Sequence, residues 1–159
     1  MERLVEQYGT AMLRMCCMYL NDEHLANDAV QDSYIKIYRA WRPFDSPAAE
    51  KAWVMRITIN VCKDYLRSAW KRRVHLVEQY PELEAPADAP GSERGRLVQE
   101  IQALKPKYKQ VILLHYYQDL SVNEIARILG APQSTISVRL RRAKAMLQKR
   151  LEGIPCEDL

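Results

Sequence analysis

Ser134, Thr135, Ser137, Arg139, Arg141, Arg142 and Lys144 crowd hydrogen-bonding and cationic side chains around the apolar Val138 in one short stretch. On a helix advancing about 100° per residue, Ser134, Ser137, Val138 and Arg141 share one side, with Arg139 and Arg142 on its flanks. Residues 134–150 hold six Lys or Arg and no acid. This is chemistry for holding rather than for breaking bonds. Cations pair with phosphates, and Arg side chains reach base edges in the major groove. A second set lies upstream. Arg56, Asn60, Lys63, Arg67 and Lys71 recur every three or four residues, and Lys71, Arg72 and Arg73 concentrate charge at the end. Trp53, one turn before this stripe, and Phe44, in an adjoining loop, are aromatics suited to stacking on an unpaired base. The Asn60 amide suits a base edge. Taken alone, such a stripe also describes a solvated helix face. A second nucleic-acid-reading element in the same chain favours the binding reading.

That element is residues 121–147, SVNEIARILGAPQSTISVRLRRAKAML. Ser121 and Glu124 form a capping box ahead of Val122, Ile125 and Leu129 at helical spacing. Gly130 then ends the helix in the left-handed conformation that glycine adopts cheaply. Pro132 suits the first turn of the next helix. There Ile136, Leu140, Ala143, Leu147 and Leu151 make the buried stripe, opposite the polar face. A short capped helix, a glycine turn and a longer basic helix are the parts of a helix-turn-helix. The bland alternative is a helical hairpin with a solvated basic face, but cap, turn and charge agree against it.

The upstream set needs a scaffold of its own. Leu4, Tyr8, Ala11, Met12, Met15 and Tyr19 predict a helix over residues 2–20, broken at Asn21-Asp22. A second helix spans residues 25–41, with Ala26, Val30, Ser33, Tyr34, Ile37 and Trp41 inward. Residues 42–48 form a loop, and a long helix over 49–73 buries Met55, Thr58, Cys62, Tyr65, Leu66 and Ala69. Three such helices can share one core. The outer face of the second differs from a DNA face: Asp28, Gln31 and Asp32 surround Ile35, with Arg39 beyond. An apolar centre in a polar rim suits a protein interface. A single exposed isoleucine is an equal alternative on geometry alone.

Composition sets limits. The 159 residues carry a net charge of +4, so the distribution of charge says more than its size. Cys16, Cys17, Cys62 and Cys156 form no CxxC pair, and no His stands at ligand spacing from any of them. Reduced structural thiols, a cytoplasmic protein and no metal or other cofactor are expected, with a redox role left open. His24, His75 and His115 are scattered, and no paired carboxylates converge, so no enzyme is expected. No apolar run approaches the length of a membrane span. The opening MERLVEQYG is no secretion signal.

Residues 76–93 shift in character, with Glu78, Glu82, Glu84, Asp88 and Glu93, no Lys or Arg, and Pro81, Pro86 and Pro90. This reads as a linker. It serves as a solvated spacer or as an acidic strand lying along a basic surface. Helical pattern resumes over 94–104 and again from Pro106 to Tyr117, with Val111, Ile112 and Leu114 apolar. The expected fold is all-α. A three-helix domain over 1–74 joins a helix-turn-helix domain over 94–153 through the linker 75–93, and 154–159 is a tail.

Together HLANDAVQDSYIKIYRAW, AWVMRITINVCKDYLRSAWKRR and the helix-turn-helix resemble bacterial RNA polymerase sigma factors of the extracytoplasmic-function group. The resemblance covers almost the whole chain. It implies a dissociable initiation factor whose first domain resembles sigma region 2 and whose second resembles region 4. By this resemblance Asp28, Gln31, Asp32 and Ile35 face the β′ clamp of core polymerase, resolving the even choice above. Asn60 matches the residue near the flipped minus-10 base, and Phe44 lies in the loop shaping its pocket. Trp53, Arg56, Lys63, Arg67, Lys71, Arg72 and Arg73 belong to the same minus-10 and melting surface. Ser137, Arg141 and Arg142 align with residues reading the minus-35 element, with Ser134, Thr135 and Val138 beside them and Arg139 and Lys144 on phosphates. Val138 stands where a small polar residue is frequent, and Ser137 where Arg or Lys is, so promoter preference does not carry over. An anti-sigma factor is an implied partner. A conventional repressor or activator with a helical sensor domain is the competing function. It would bind operators without polymerase, though dimerisation heptads are absent.

Overall fold

The computed structural model describes residues 1–75 and 92–152, with side chains for residues 1–69 and 92–152. The linker before Ser92, the 154–159 tail with Cys156, and the side chains of Lys71, Arg72, Arg73 and His75 lie outside this description. The chain divides into two compact units, Met1–Glu84 and Ala85–Leu159.

The first unit is built from α1 (Glu2–Leu20), α2 (Glu23–Ala40) and α3 (Pro47–His75). Asn21 ends α1 in the left-handed region, φ 55°, where an Asn is tolerated. Its neighbour Asp22 caps α2, Oδ1 accepting the Leu25 N–H at 3.0 Å, so α2 starts two residues earlier than its apolar pattern indicates. Trp41 is already extended, which ends α2 at Ala40. Ser46 Oγ accepts the Ala49 N–H at 3.1 Å, and Pro47 leads α3, again two residues earlier than expected. The third helix continues to His75, past the expected end at Arg73.

Each of these helices packs on the other two. Leu4, Tyr8, Met12, Met15 and Tyr19 of α1 are buried, as are Ala26, Ser33 and Ile37 of α2 and Met55, Thr58 and Cys62 of α3. Burying a side chain such as Met or Ile fully is worth about 1.5–3 kcal/mol. Cys16, Met18, Leu20, Ala29, Val54, Ile59 and Val61 are buried too. A helix touching two partners hides a wider arc than one stripe. Trp41 corrects the expected pattern in the other direction: it is 49% exposed, because the helix ends before it. Ala11, Val30, Tyr34, Tyr65, Leu66 and Ala69 are only half-buried. Within the core, Ser33 Oγ and Thr58 Oγ1 donate to carbonyls one turn back, at 2.6 and 2.9 Å. The Cys16 and Cys62 sulfurs lie 3.4 Å apart, and that contact, with burial, pushes the Cys16 thiol pKa up. Both behave as packed core thiols. Glu50, buried at the start of α3, accepts two guanidinium bonds from Arg3 at 2.7 and 2.9 Å and the Tyr8 hydroxyl at 3.0 Å.

The second unit contains α4 (Glu93–Gln102), α5 (Pro106–Ile112), α6 (Val122–Leu129) and α7 (Gln133–Arg150). Ser92 caps α4 through the Gly95 N–H, so Glu93, expected in the linker, is helical. A π-helical turn, Leu113–Tyr117, prolongs α5. It closes with the Leu120 N–H on the Leu114 carbonyl, and Asp119 takes a positive φ of 54°. The core gathers Ile101, Leu104, Tyr108, Val111, Ile112, Leu113, Leu114 and Leu120 with Ile125, Ile128, Ile136, Leu140, Ala143, Leu147 and Leu151. α7 is its axis, packing on α4, α5 and α6. Among the described residues there is no strand. No described helix is long and apolar enough to cross a membrane.

Candidate nucleic-acid interface

The helix-turn-helix is built as its residues dictate. Ser121 Oγ accepts the Glu124 N–H at 3.2 Å, while Glu124 Oε2 accepts the Ser121 N–H at 2.7 Å. This reciprocal box fixes where α6 begins. Gly130, φ 63° and ψ 39°, ends it with its N–H on the Ala126 carbonyl. Pro132 sits one residue outside α7, as its N-cap rather than in its first turn. In α6 the buried positions are Ile125, Ala126 and Ile128, while Val122 and Leu129 are half-buried. The α6 stripe is thus turned by one position, because α6 faces both α7 and the π-turn.

Burying Ile136, Leu140, Ala143 and Leu147 leaves Ser134, Ser137, Arg141 and Arg142 exposed and Thr135, Val138, Arg139 and Lys144 half-buried. All eight expected residues therefore reach the surface of one helix. Lys144 is steered by Tyr116, its ammonium 5.7 Å from the ring centroid. His115 is placed by structure rather than by chemistry, Nδ1 lying 2.8 Å from the Leu120 carbonyl oxygen at the turn.

One contribution escapes sequence reasoning. A groove of about 290 Å³ is lined by Ser134, Thr135, Val138, Arg139 and Arg142 and by Lys107 and Tyr108 of α5. Lys107 is exposed, with its ammonium 5.0 Å from the Tyr108 ring centroid. It adds a cation to the helix-turn-helix face from a helix some 30 residues away in sequence. Only the meeting of α5 and α7 reveals it.

In the first unit, Arg56, Asn60 and Arg67 are exposed on α3 and Lys63 is half-buried, opposite the core positions Met55, Thr58 and Cys62. Phe44 and Trp53 are brought together, ring centroids 5.1 Å apart and tilted by 47°, with the Arg42 guanidinium 5.7 Å from the Phe44 ring. The loop aromatic is thus fastened to the start of the polar stripe. On α2, Asp28, Gln31 and Asp32 are exposed, with Ile35 48% exposed among them. Two links tie α2 to α3. The Tyr65 hydroxyl donates to Asp32 Oδ2 at 2.6 Å, and Lys36 lies 3.6 Å from Asp64, itself 4.0 Å from Arg67. Burial and the Asp32 bond raise the Tyr65 pKa to about 12. No cluster of three metal-ligating side chains occurs among the described residues.

The family model for sigma-70 region 2 matches residues 4–72, and that for sigma-70 region 4 matches residues 94–147. The ECF RNA polymerase sigma factor SigW of Bacillus subtilis is 28% identical, the match covering 95% of this chain and 88% of that protein. The chain belongs to the extracytoplasmic-function sigma factors. Its activity is promoter-specific initiation of transcription, and a repressor or activator working without polymerase is not favoured. The fold of this sigma factor is shared by two solved structures. One is the sigma factor RpoE of Bartonella quintana, in co-crystal with the anti-sigma factor NepR. Its TM-score is 0.80 at 20% identity, covering 97% of this chain and 98% of the other. CnrH, in complex with the cytosolic domain of CnrY, gives a TM-score of 0.69 at 24% identity over 97% and 88% of the two chains.

Proposed function

We propose that this sigma factor binds core polymerase through the outer face of α2 and grips a promoter at two points. The observation that carries the proposal is one chain bearing two separate polar binding faces, one on α3 and one on α7. Asp28, Gln31, Asp32 and Ile35 make the polymerase contact, an apolar centre in an acidic rim. Ser134, Thr135, Ser137, Val138, Arg141 and Arg142 read the minus-35 element. Arg139 and Lys144, together with Lys107, hold its phosphates. Each good bidentate base contact contributes about 1–3 kcal/mol of discrimination.

The minus-10 element is taken by α3 and its loop. Flipping a base costs a few kcal/mol, and stacking on an aromatic returns about 1–3 kcal/mol. Phe44, backed by Trp53, supplies that surface. Asn60 bonds the base edge, and Arg56, Lys63, Arg67, Lys71, Arg72 and Arg73 follow the backbone. Since the return only balances the cost, melting belongs to the assembled holoenzyme. The protein acts in the cytoplasm, catalyses no bond-making step itself and uses no cofactor. An anti-sigma factor is its expected regulator, as NepR is found with RpoE.

Run-off transcription with core polymerase and a randomised promoter pool tests the proposal. The expected result is core-dependent transcripts whose templates share two sequence blocks. Tight operator binding without polymerase, and no stimulation of transcription, would refute it.

A further inference from the structure

Asp32 stands exposed on α2, where a lone aspartate samples several rotamers. Here it is not free to do so. Tyr65, half-buried on α3, donates its hydroxyl to Asp32 Oδ2 at 2.6 Å. A carboxylate offers about four acceptor sites on two oxygens, so Oδ1 is left for a partner. We propose that Tyr65 is a positioning residue for polymerase binding, holding the Asp32 carboxylate so that Oδ1 is presented to a cationic side chain of the polymerase clamp. The inference rests on the assignment of Asp32 to the polymerase face.

The arrangement supports it in four ways. Tyr65 is half-buried on α3, whereas Asp32 projects exposed from α2, so the bond ties the carboxylate to a neighbouring helix. Asp28 lies one turn before Asp32 and adds to the negative field that a cation would meet. Lys36 and Asp64, 3.6 Å apart, brace the same α2–α3 edge one turn further on. The Tyr65 hydroxyl keeps its proton at neutral pH, since burial and the Asp32 bond raise its pKa to about 12, so the donor is always available. A preset carboxylate spares the ordering cost that binding otherwise incurs.

The test is a double-mutant cycle on the affinity of the full chain for core polymerase, with no promoter present. Tyr65→Phe keeps the ring and removes the donor. It is expected to weaken core binding roughly three- to tenfold, about the ordering cost of one side chain. In an Asp32→Ala background the same change should have no further effect, because the group it positions is gone. Thermal melts of the variants should stay close to that of the parent. If Tyr65→Phe weakens binding equally in both backgrounds, or leaves affinity unchanged where Asp32→Ala lowers it, Tyr65 does not act through Asp32. If Asp32→Ala itself leaves core affinity unchanged, the assigned face is wrong and the positioning role falls with it.

Discussion

Trp53 and Phe44 meet with ring centroids 5.1 Å apart, joining the first turns of α3 to the loop after α2. A loop aromatic with no backing would spend its stacking energy on being ordered. The Trp53 ring supplies that order beforehand. Trp53→Ala is therefore expected to slow open-complex formation by about tenfold, near the low end of an aromatic stacking contribution. Phe44→Ala should cost at least as much, and the double variant should cost less than the sum. Permanganate reactivity of the melted strand checks this. On a template with a premelted minus-10 segment, the defect of both variants should shrink.

Lys107 gives a different signature. A cation on a phosphate strengthens binding uniformly across sequences, and removing it lowers the slope of log affinity against log salt by about one. Lys107→Ala is expected to reduce the holoenzyme slope by about that amount on a promoter that retains its minus-35 element. Sequence preference in a promoter pool should stay unchanged. A shifted minus-35 preference with an unaltered salt slope would place Lys107 among the base readers instead.

The first unit carries an acid-sensitive tie. Arg3 lowers the pKa of Glu50 below its ordinary 4.5, with the Tyr8 hydroxyl acting in the same direction. A carboxyl with a depressed folded pKa binds fewer protons when folded. Its contribution is fully present above pH 4.5 and is lost as pH falls through the folded value. Glu50→Ala is expected to lower stability at neutral pH by about 1–2 kcal/mol, since the buried Tyr8 hydroxyl loses its acceptor. Denaturant melts at about pH 7 and about pH 3 measure both effects. The gap between parent and variant should narrow in acid.

Local signals in the chain carried much of this architecture. Ser121, Glu124 and Gly130 specify α6 because caps and left-handed turns act within a few residues. The α7 face follows from the buried stripe Ile136–Leu140–Ala143–Leu147, which leaves the polar side nowhere else to go. Pairings between distant segments had no local signal. The Lys107 side of the groove, the Tyr65–Asp32 bond and the Arg3–Glu50 pair join residues 27 to 47 positions apart. The same holds at Gly9, where a Cβ would lie 2.8 Å from the Tyr34 hydroxyl oxygen, so α1 and α2 approach closely there. Trp41 faces outward against its spacing because the apolar pattern runs one residue past the end of the helix at Ala40, onto backbone that is already extended.

In the proposed two-point grip, labour is divided between α3 and α7, and selecting transcribed templates from a randomised promoter pool is the sharpest check of that division. The parent, Asn60→Ala and Arg141→Ala holoenzymes would be compared. Asn60→Ala is expected to relax preference only in the downstream block, and Arg141→Ala only in the upstream block. Each should lose about 1–3 kcal/mol of discrimination at the affected position. If both substitutions disturb both blocks alike, or if neither changes any preference, the two-point grip assigned to these helices is contradicted.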